Sequence, residues 1–183
     1  MKEKVLIVID MQNDFIDGAL GTPEAQAIIP NVKKKIEEYQ KRGDMIITTQ
    51  DTHFSNYLKT SEGKNLPISH CVIHSDGWQL ENSIYDTLKG YENYNNFTKY
   101  TFGSVNTFEY LRQFITNENQ KNYEIEIVGL VLNICVISNA LLAKAYFPEA
   151  QIMIDLNCTA ATSSEDFDCA SQVLKNCQVD LYE

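Results

Sequence analysis

Glu126-Ile127-Val128-Gly129-Leu130-Val131-Leu132-Asn133-Ile134-Cys135-Val136-Ile137-Ser138-Asn139-Ala140-Leu141-Leu142-Ala143-Lys144-Ala145 is the stretch whose reading decides the fold. It opens inside an apolar run, Ile125 to Leu132, of the kind that forms a strand buried on both faces. Gly129 permits a sharp exit. Ile134, Ile137, Leu141 and Ala145 then recur at helical spacing, so the pattern predicts a helix beginning near Cys135. A cysteine at that junction meets unpaired backbone N–H groups and the positive end of the helix dipole. Both favour the thiolate, which is the nucleophilic form. A cysteine among apolar neighbours is also, taken alone, an ordinary packing residue. The rest of the chain decides between the two.

The chain has 183 residues, enough for one domain, 1–183, with a full-sized core. Hydrophobic residues at 44% and charged residues at 22% fit a soluble globular protein. A net charge of −10 argues against nucleic acid or an anionic membrane as partner. Met1-Lys2-Glu3-Lys4 is followed by only five apolar residues, too few for a signal peptide or a membrane span. The five cysteines, Cys71, Cys135, Cys158, Cys169 and Cys177, form no Cys-x-x-Cys pair. Reduced thiols and a cytoplasmic location are therefore expected.

Outward from the central stretch, strand and helix patterns alternate. Val5 to Ile9 reads as a buried strand ending in Asp10, and Met11 to Gly21 as a loop. A helix from about Pro30 puts Ile29, Val32, Ile36 and Tyr39 on one face and ends at Gly43. Met45 to Thr49 is a second strand running into Gln50-Asp51-Thr52-His53. Phe54 to Gly77 shows no periodicity, and a loop that long is usually functional or disordered. With the flanking His53 it holds all three histidines. A short helix fits Leu80 to Leu88, and a third strand Phe97 to Tyr100. Ser104 then caps a helix with Val105, Phe108, Leu111 and Ile115 inward. Asn117 to Asn122 is a polar turn. After the central stretch come a fifth strand, Gln151 to Leu156, and a turn-like segment, Asn157 to Ser164. A last helix, capped by Ser163, runs to about Asn176 with Phe167, Ala170, Val173 and Leu174 inward. Val179 to Tyr182 closes a sixth strand. The pattern predicts a single doubly wound α/β domain with a mainly parallel six-stranded sheet flanked by helices.

In such sheets ligands bind outside the carboxyl ends of the strands. Asp10, Asp51 and Lys99 end three strands and Cys135 follows a fourth, so four chemically capable side chains converge on one crevice. Neither GxGxxG nor GxxxxGK[ST] occurs, which argues against a nucleotide cofactor. The convergence suggests roles. Cys135 attacks a carbonyl, and Asp10 takes the thiol proton and returns it to the leaving amine. Lys99 holds the carboxylate and stabilises the thiolate. Backbone N–H groups of the Val131–Cys135 turn, those of Val131 and Cys135, receive the oxyanion. Singly, Asp10 could be a cap or loop carboxylate and Lys99 an exposed lysine. Their convergence is what favours catalysis.

The residues now carry a resemblance. Val8-Ile9-Asp10-Met11-Gln12-Asn13-Asp14-Phe15, Thr49-Gln50-Asp51-Thr52-His53, Pro67 with His70-Cys71-Val72, Lys99, and Gly129-Leu130-Val131 leading to Cys135-Val136 stand in order along nearly the whole chain. The chain resembles the isochorismatase-like cysteine hydrolases, and within them the nicotinamidase branch. The resemblance implies an Asp10–Lys99–Cys135 triad, an acyl-enzyme amidase mechanism and a non-proline cis peptide near Leu130–Val131. It also implies a divalent metal, zinc foremost with manganese or iron as alternatives, held by Asp51, His53 and His70. It further implies Phe15 as one aromatic wall for the substrate. Leu66 stands where the other aromatic is expected, with Trp78 and Tyr57 as candidates to fill the gap.

Three further places in the chain depart from the family pattern. Asn56 and Tyr57 occupy the region where a further histidine often follows Asp-x-His. His74 sits where Gly is frequent and is left outside the site. Leu132-Asn133 replaces Thr-Asp before the cysteine. Three readings stand: a metal-dependent nicotinamidase or near relative, a metal-free cysteine amidase acting on a carbamoyl or ureido group, and a non-catalytic binding module. An isochorismatase proper is disfavoured, because that branch cleaves a vinyl ether without a nucleophilic cysteine. The expected partner is a small-molecule amide, and formation of a homo-oligomer stays open.

Overall fold

A computed structural model describes residues 2–183; Met1, where the expected domain begins, lies outside them. Six strands, β1 Glu3–Ile9, β2 Met45–Asp51, β3 Tyr94–Lys99, β4 Tyr123–Leu130, β5 Gln151–Ala160 and β6 Asp180–Tyr182, form one sheet in the order β3-β2-β1-β4-β5-β6. Every neighbouring pair is parallel. Chain direction across the sheet reverses between β1 and β4, which pair from Glu3↔Tyr123 to Ile9↔Gly129. This is the topological switch point, and it is where a parallel sheet opens a crevice.

The alternation of side chains along each strand builds two cores. Val5, Ile7 and Ile9 join Ile125 and Ile127 on one face, beneath Phe108, Leu111, Val136, Ala140 and Leu174. Leu6 and Val8 join Val128 and Leu130 on the other, beneath Val32, Ile36, Ile84 and Leu88. Burial on both faces explains why the central strands read as continuous apolar runs. The Ile29–Arg42 helix buries Val32, Ile36 and Tyr39 and ends at Gly43. None of the helices is long and apolar enough to cross a membrane, among the described residues.

Several boundaries differ from expectation. The stretch from Met11 to Gly21 contains a helical turn, Asn13–Ile16, and the long loop contains two more, Tyr57–Lys59 and Ser61–Asn65. Strand β5 continues to Ala160, because β4 and β5 slip register between Ile127 and Gly129, and pairing resumes at Gly129↔Thr159. Polar Asn157 therefore sits in an irregularity of the strand and reads as a turn. In the Val105–Leu111 helix, Thr107 and not Val105 points inward, and Val105 is exposed. Val173 is likewise exposed on the Ser164–Asn176 helix, where Ser171 is buried instead.

The largest difference lies past β4. Leu132–Val136 is a π-helical turn, and the α-helix begins only at Ile137 and runs to Tyr146. The wider turn rotates the following face, so Val136, Ala140 and Ala143 are buried while Leu141 is exposed. Gly129 starts this exit. Its φ is +107°, and a Cβ there would lie 2.1 Å from the Ile9 carbonyl oxygen. No L side chain fits both demands.

A polar cluster far from the strand ends fastens the last strand. Glu126 accepts hydrogen bonds from Tyr39 (2.5 Å) and from Tyr182, and it pairs with Lys35 at 2.9 Å. Lys35 also reaches Asp155 at 2.8 Å. Glu126 is 5% exposed, so its replacement strips several buried groups of a partner at once. Removing one member of a buried pair costs about 3–5 kcal/mol. We expect Glu126→Ala to lower the urea midpoint by a corresponding amount while the alkylation rate of Cys135 stays unchanged. A stability loss within experimental error would show the cluster to be neutral.

Candidate active site

Each reacting candidate stands at a strand end, as a doubly wound sheet requires. Asp10 directly follows β1 with φ +47°, an uncommon conformation for a non-glycine residue. Left-handed backbone of this kind is kept where the surroundings over-determine it, commonly at functional sites. Thr49 donates its hydroxyl to Asp10 Oδ1 at 2.7 Å, and the Asp10 amide donates to the Thr49 carbonyl at 3.2 Å. Lys99 ends β3 in register with Asp51 at the end of β2. Its ammonium lies 2.7 Å from Asp10 Oδ2, 3.1 Å from Asp51 Oδ1 and 3.4 Å from Cys135 Sγ. Asp10, Lys99 and Cys135 are therefore brought together, all three at most 5% exposed. The peptide bond between Leu130 and Val131 is cis. Val131 lines the pocket, and its carbonyl accepts from the amides of Ile134 and Val136.

Electrostatics bind these groups into one unit. Burial pushes Asp10 up, against the pull of the Lys99 ammonium. Burial would push Lys99 down, yet Asp10, Cys135 and Asp51 outweigh it and hold its proton firmly. Cys135 departs from the expectation of a lowered thiol pKa. Burial raises it well above the ordinary range, Lys99 opposes, and the Asp10 and Asp51 carboxylates add to the rise. The helix dipole does not decide the matter, because the sulfur sits in the π-turn within a desolvated anionic cluster. Burial thus favours the protonated form of both the Cys135 sulfur and the Asp10 carboxyl, while the Lys99 ammonium opposes it at each.

A second cluster adjoins the first through Asp51. Asp51, His53, Glu62 and His70 each offer one atom, all within 4.8 Å of one another. Asp51 Oδ2 lies 2.9 Å from His53 Nε2 and 3.6 Å from His70 Nε2. Glu62 Oε1 lies 3.3 Å and 3.8 Å from the same two nitrogens. Glu62 is the member that sequence reasoning missed. It stands in the first turn of Ser61–Asn65, whose cap Thr60 accepts from the Gly63 amide at 3.0 Å. The signal was a capped turn carrying a carboxylate inside the histidine-bearing loop. His70 Nδ1 lies 2.8 Å from the Ile68 carbonyl, which fixes the ring with Nε2 towards the cluster. Burial pushes His70 down, but hydrogen bonding to Asp51 and Ile68 leaves it above the ordinary imidazole value. Burial opposes ionisation of Asp51, yet His53, His70 and Lys99 hold its carboxyl well below the usual range.

The opening motif explains itself as scaffolding. Gln12, fully buried, donates to the Asp51 and Trp78 carbonyls and accepts from the Asp51 amide at 2.7 Å. Asp14 Oδ2 accepts from the Cys71 amide at 2.7 Å, which anchors the strip bearing His70. His74 is exposed and packs on Trp78, outside the cluster. Trp78 donates to Thr52 and does not line the pocket, so it does not fill the gap left by Leu66.

Both clusters open into a pocket of about 200 Å³. Phe15 and Leu66 line it, and so does Phe102, which was not anticipated. Tyr57 stands behind the histidines, 4.5 Å from the His53 ring, and donates to the Leu66 carbonyl at 2.9 Å. The second aromatic wall thus comes from the segment after Lys99. Asn133 donates to Thr162 Oγ1 at 2.8 Å and accepts from the Thr162 amide, so it clips the cysteine turn to the pocket rim.

An all-parallel sheet with a buried thiol, ammonium and carboxylate at its switch point defines an α/β protein of the hydrolase type. The chain belongs to the isochorismatase family: the Isochorismatase domain model matches residues 4–182. It is 25% identical to the nicotinamidase of Saccharomyces cerevisiae over 213 residues, covering 94% of this chain and 95% of that one. The nicotinamidase/pyrazinamidase of Bacillus subtilis superposes with a TM-score of 0.84 at 25% identity, covering 99% and 100% of the two chains. The pyrazinamidase of Pyrococcus horikoshii, solved in complex with zinc, superposes with a TM-score of 0.79 at 24% identity, covering 99% of each.

Proposed function

We propose that this protein hydrolyses a small uncharged amide, a nicotinamide-like ring amide foremost, to the acid and ammonia through an acyl-enzyme on Cys135. One observation carries the reading: the buried Lys99 ammonium touches Asp10, Asp51 and Cys135 at once, behind the Asp51 and Cys135 side chains that line a pocket sized for one small ring. The nicotinamidase relatives agree with it. The thiol sulfur attacks the amide carbon while Asp10 takes its proton. The amides of Val131 and Cys135 receive the oxyanion. As the C–N bond breaks, Asp10 returns the proton to nitrogen and ammonia leaves. Water then attacks the thioester with Asp10 as base, and the acid departs as Cys135 regains its proton. Lys99 keeps its contacts to Asp10, Asp51 and the sulfur and partly offsets the negative charge gathered there.

Asp51 and Glu62 line the pocket, and no lysine or arginine does, among the described residues. That favours a neutral substrate over one bearing a carboxylate, and it favours release of an anionic product.

The second cluster fits a divalent ion. His53 Nε2 is buried and makes no hydrogen bond despite lying 2.9 Å from Asp51 Oδ2, and two carboxylates with two imidazoles suit zinc, manganese or iron. Asp51, His53, Glu62 and His70 would hold it. An ion held there would supply Lewis acidity towards a ring heteroatom of the substrate. An ammonia-release screen over small amides, with and without chelator, tests the whole reading. We expect nicotinamide turnover to be lost on chelation while Cys135 remains alkylatable, and His70→Ala to lose the metal with little change in melting. Full activity in protein free of stoichiometric metal would instead favour the metal-free amidase.

A further inference from the structure

One fully buried carboxamide beside the pocket has no part in the chemistry above. Asn139 lies one turn beyond Cys135 and is 0% exposed. Its Nδ2 donates to the Cys135 carbonyl at 2.8 Å and to the Phe102 carbonyl at 3.2 Å. Its Oδ1 accepts from the Ser104 amide at 2.9 Å. A buried amide is costly unless paired, and this one is paired on both ends. The partners matter more than the number. Cys135 belongs to the π-turn, whereas Phe102 and Ser104 belong to the segment that leaves Lys99 and forms the aromatic wall.

Its neighbour Ser138 shows the contrast. Ser138 donates only to Ile134, four residues back in its own helix, at 2.6 Å. Asn139 makes the same local bond and also crosses to the facing segment. That segment packs closely against the helix, since a Cβ on Gly103 would come within 2.5 Å of Leu142 Cδ1.

We infer that Asn139 is a positioning residue, a brace that sets the nucleophile turn against the segment carrying Lys99 and Phe102. The inference rests on the amide-hydrolase reading for its kinetic consequence, but its geometric consequence can be read without turnover. Two functions reside in one side chain. The bond to Cys135 orients the turn bearing the sulfur, and the bonds to Phe102 and Ser104 place the aromatic wall.

Two variants separate them. Asn139→Leu removes every bond at similar volume. Asn139→Ser keeps a hydroxyl able to reach the carbonyl four residues back, as Ser138 does, but too short for Phe102. The readouts are KM and kcat for nicotinamide and for acyclic propanamide, and iodoacetamide alkylation followed at the Cys135 peptide, because Cys169 and Cys177 are exposed. For Asn139→Leu we expect alkylation of Cys135 to slow about tenfold and nicotinamide KM to rise about tenfold, on the scale that small misplacements cost. For Asn139→Ser we expect alkylation near the wild-type rate with nicotinamide KM still raised and propanamide KM unchanged. Folded variants with both quantities within about twofold of wild type overturn the inference, and so does serine restoring neither or both. If the leucine variant does not fold, an unchanged nicotinamide KM in the serine variant overturns it. If wild type hydrolyses no amide, the amidase reading fails, and the alkylation rates of the two variants decide the brace.

Discussion

Cys135→Ala is expected to lower kcat for amide hydrolysis by on the order of 10³-fold or more, the usual cost of losing a covalent nucleophile. No other thiol is placed to substitute. Cys71 and Cys158 are buried, and burial pushes the Cys158 thiol up to about 12 and Cys71 up as well. Cys169 and Cys177 are exposed on or beside the last helix, away from the pocket lining. The variant should fold, because Lys99 keeps both of its carboxylate partners when the sulfur is gone. The measurement is ammonia release under saturating substrate, with circular dichroism as the control. Residual kcat within tenfold of wild type would sink the acyl-enzyme mechanism.

How far the site was legible follows from what fixes each residue. Asp10, Asp51, Lys99 and Cys135 were placed in one crevice because each ends or follows a strand, and the parallel sheet does the rest. The expected strands, Met45 to Thr49 and Phe97 to Tyr100, stop two residues short of Asp51 and one past Lys99, whereas β2 and β3 end on those two residues. Glu62 was not legible, because its position depends on two short helical turns, Tyr57–Lys59 and Ser61–Asn65, folding the loop back over His53. Phe102 was missed for a similar reason, since the segment after Lys99 has no period to read. The inward face of the helix after Cys135 came out rotated, because a π-turn precedes it and sequence spacing alone assumes 3.6 residues per turn. The helix end argues for a lowered Cys135 thiol pKa, whereas burial in the assembled site pushes it up. A helix dipole is visible in sequence, but burial beside two carboxylates is a property of the assembled site.

Lys99→Met carries the second large effect, and its sign follows from the same cluster. The Lys99 ammonium lies 3.4 Å from Cys135 Sγ and opposes the rise that burial imposes on the thiol. Without it, two buried carboxylates face the sulfur unneutralised, so the thiol pKa rises further and thiolate forms only at higher pH. Asp10 rises too, since Lys99 is the main influence holding it down. The alkylation profile of Cys135 should therefore shift to higher pH, and kcat/KM should fall by on the order of 10²-fold or more as the electrostatic contribution is lost. A folding cost accompanies this, because removing one partner of a buried ion pair costs about 3–5 kcal/mol. Lys99→Arg separates charge from shape. It keeps the cation, so its alkylation profile should stay near wild type even if its bulk slows turnover. An unshifted profile in a folded Lys99→Met protein would show that the ammonium does not govern the sulfur, and Asp10 alone would then have to account for activation of the thiol.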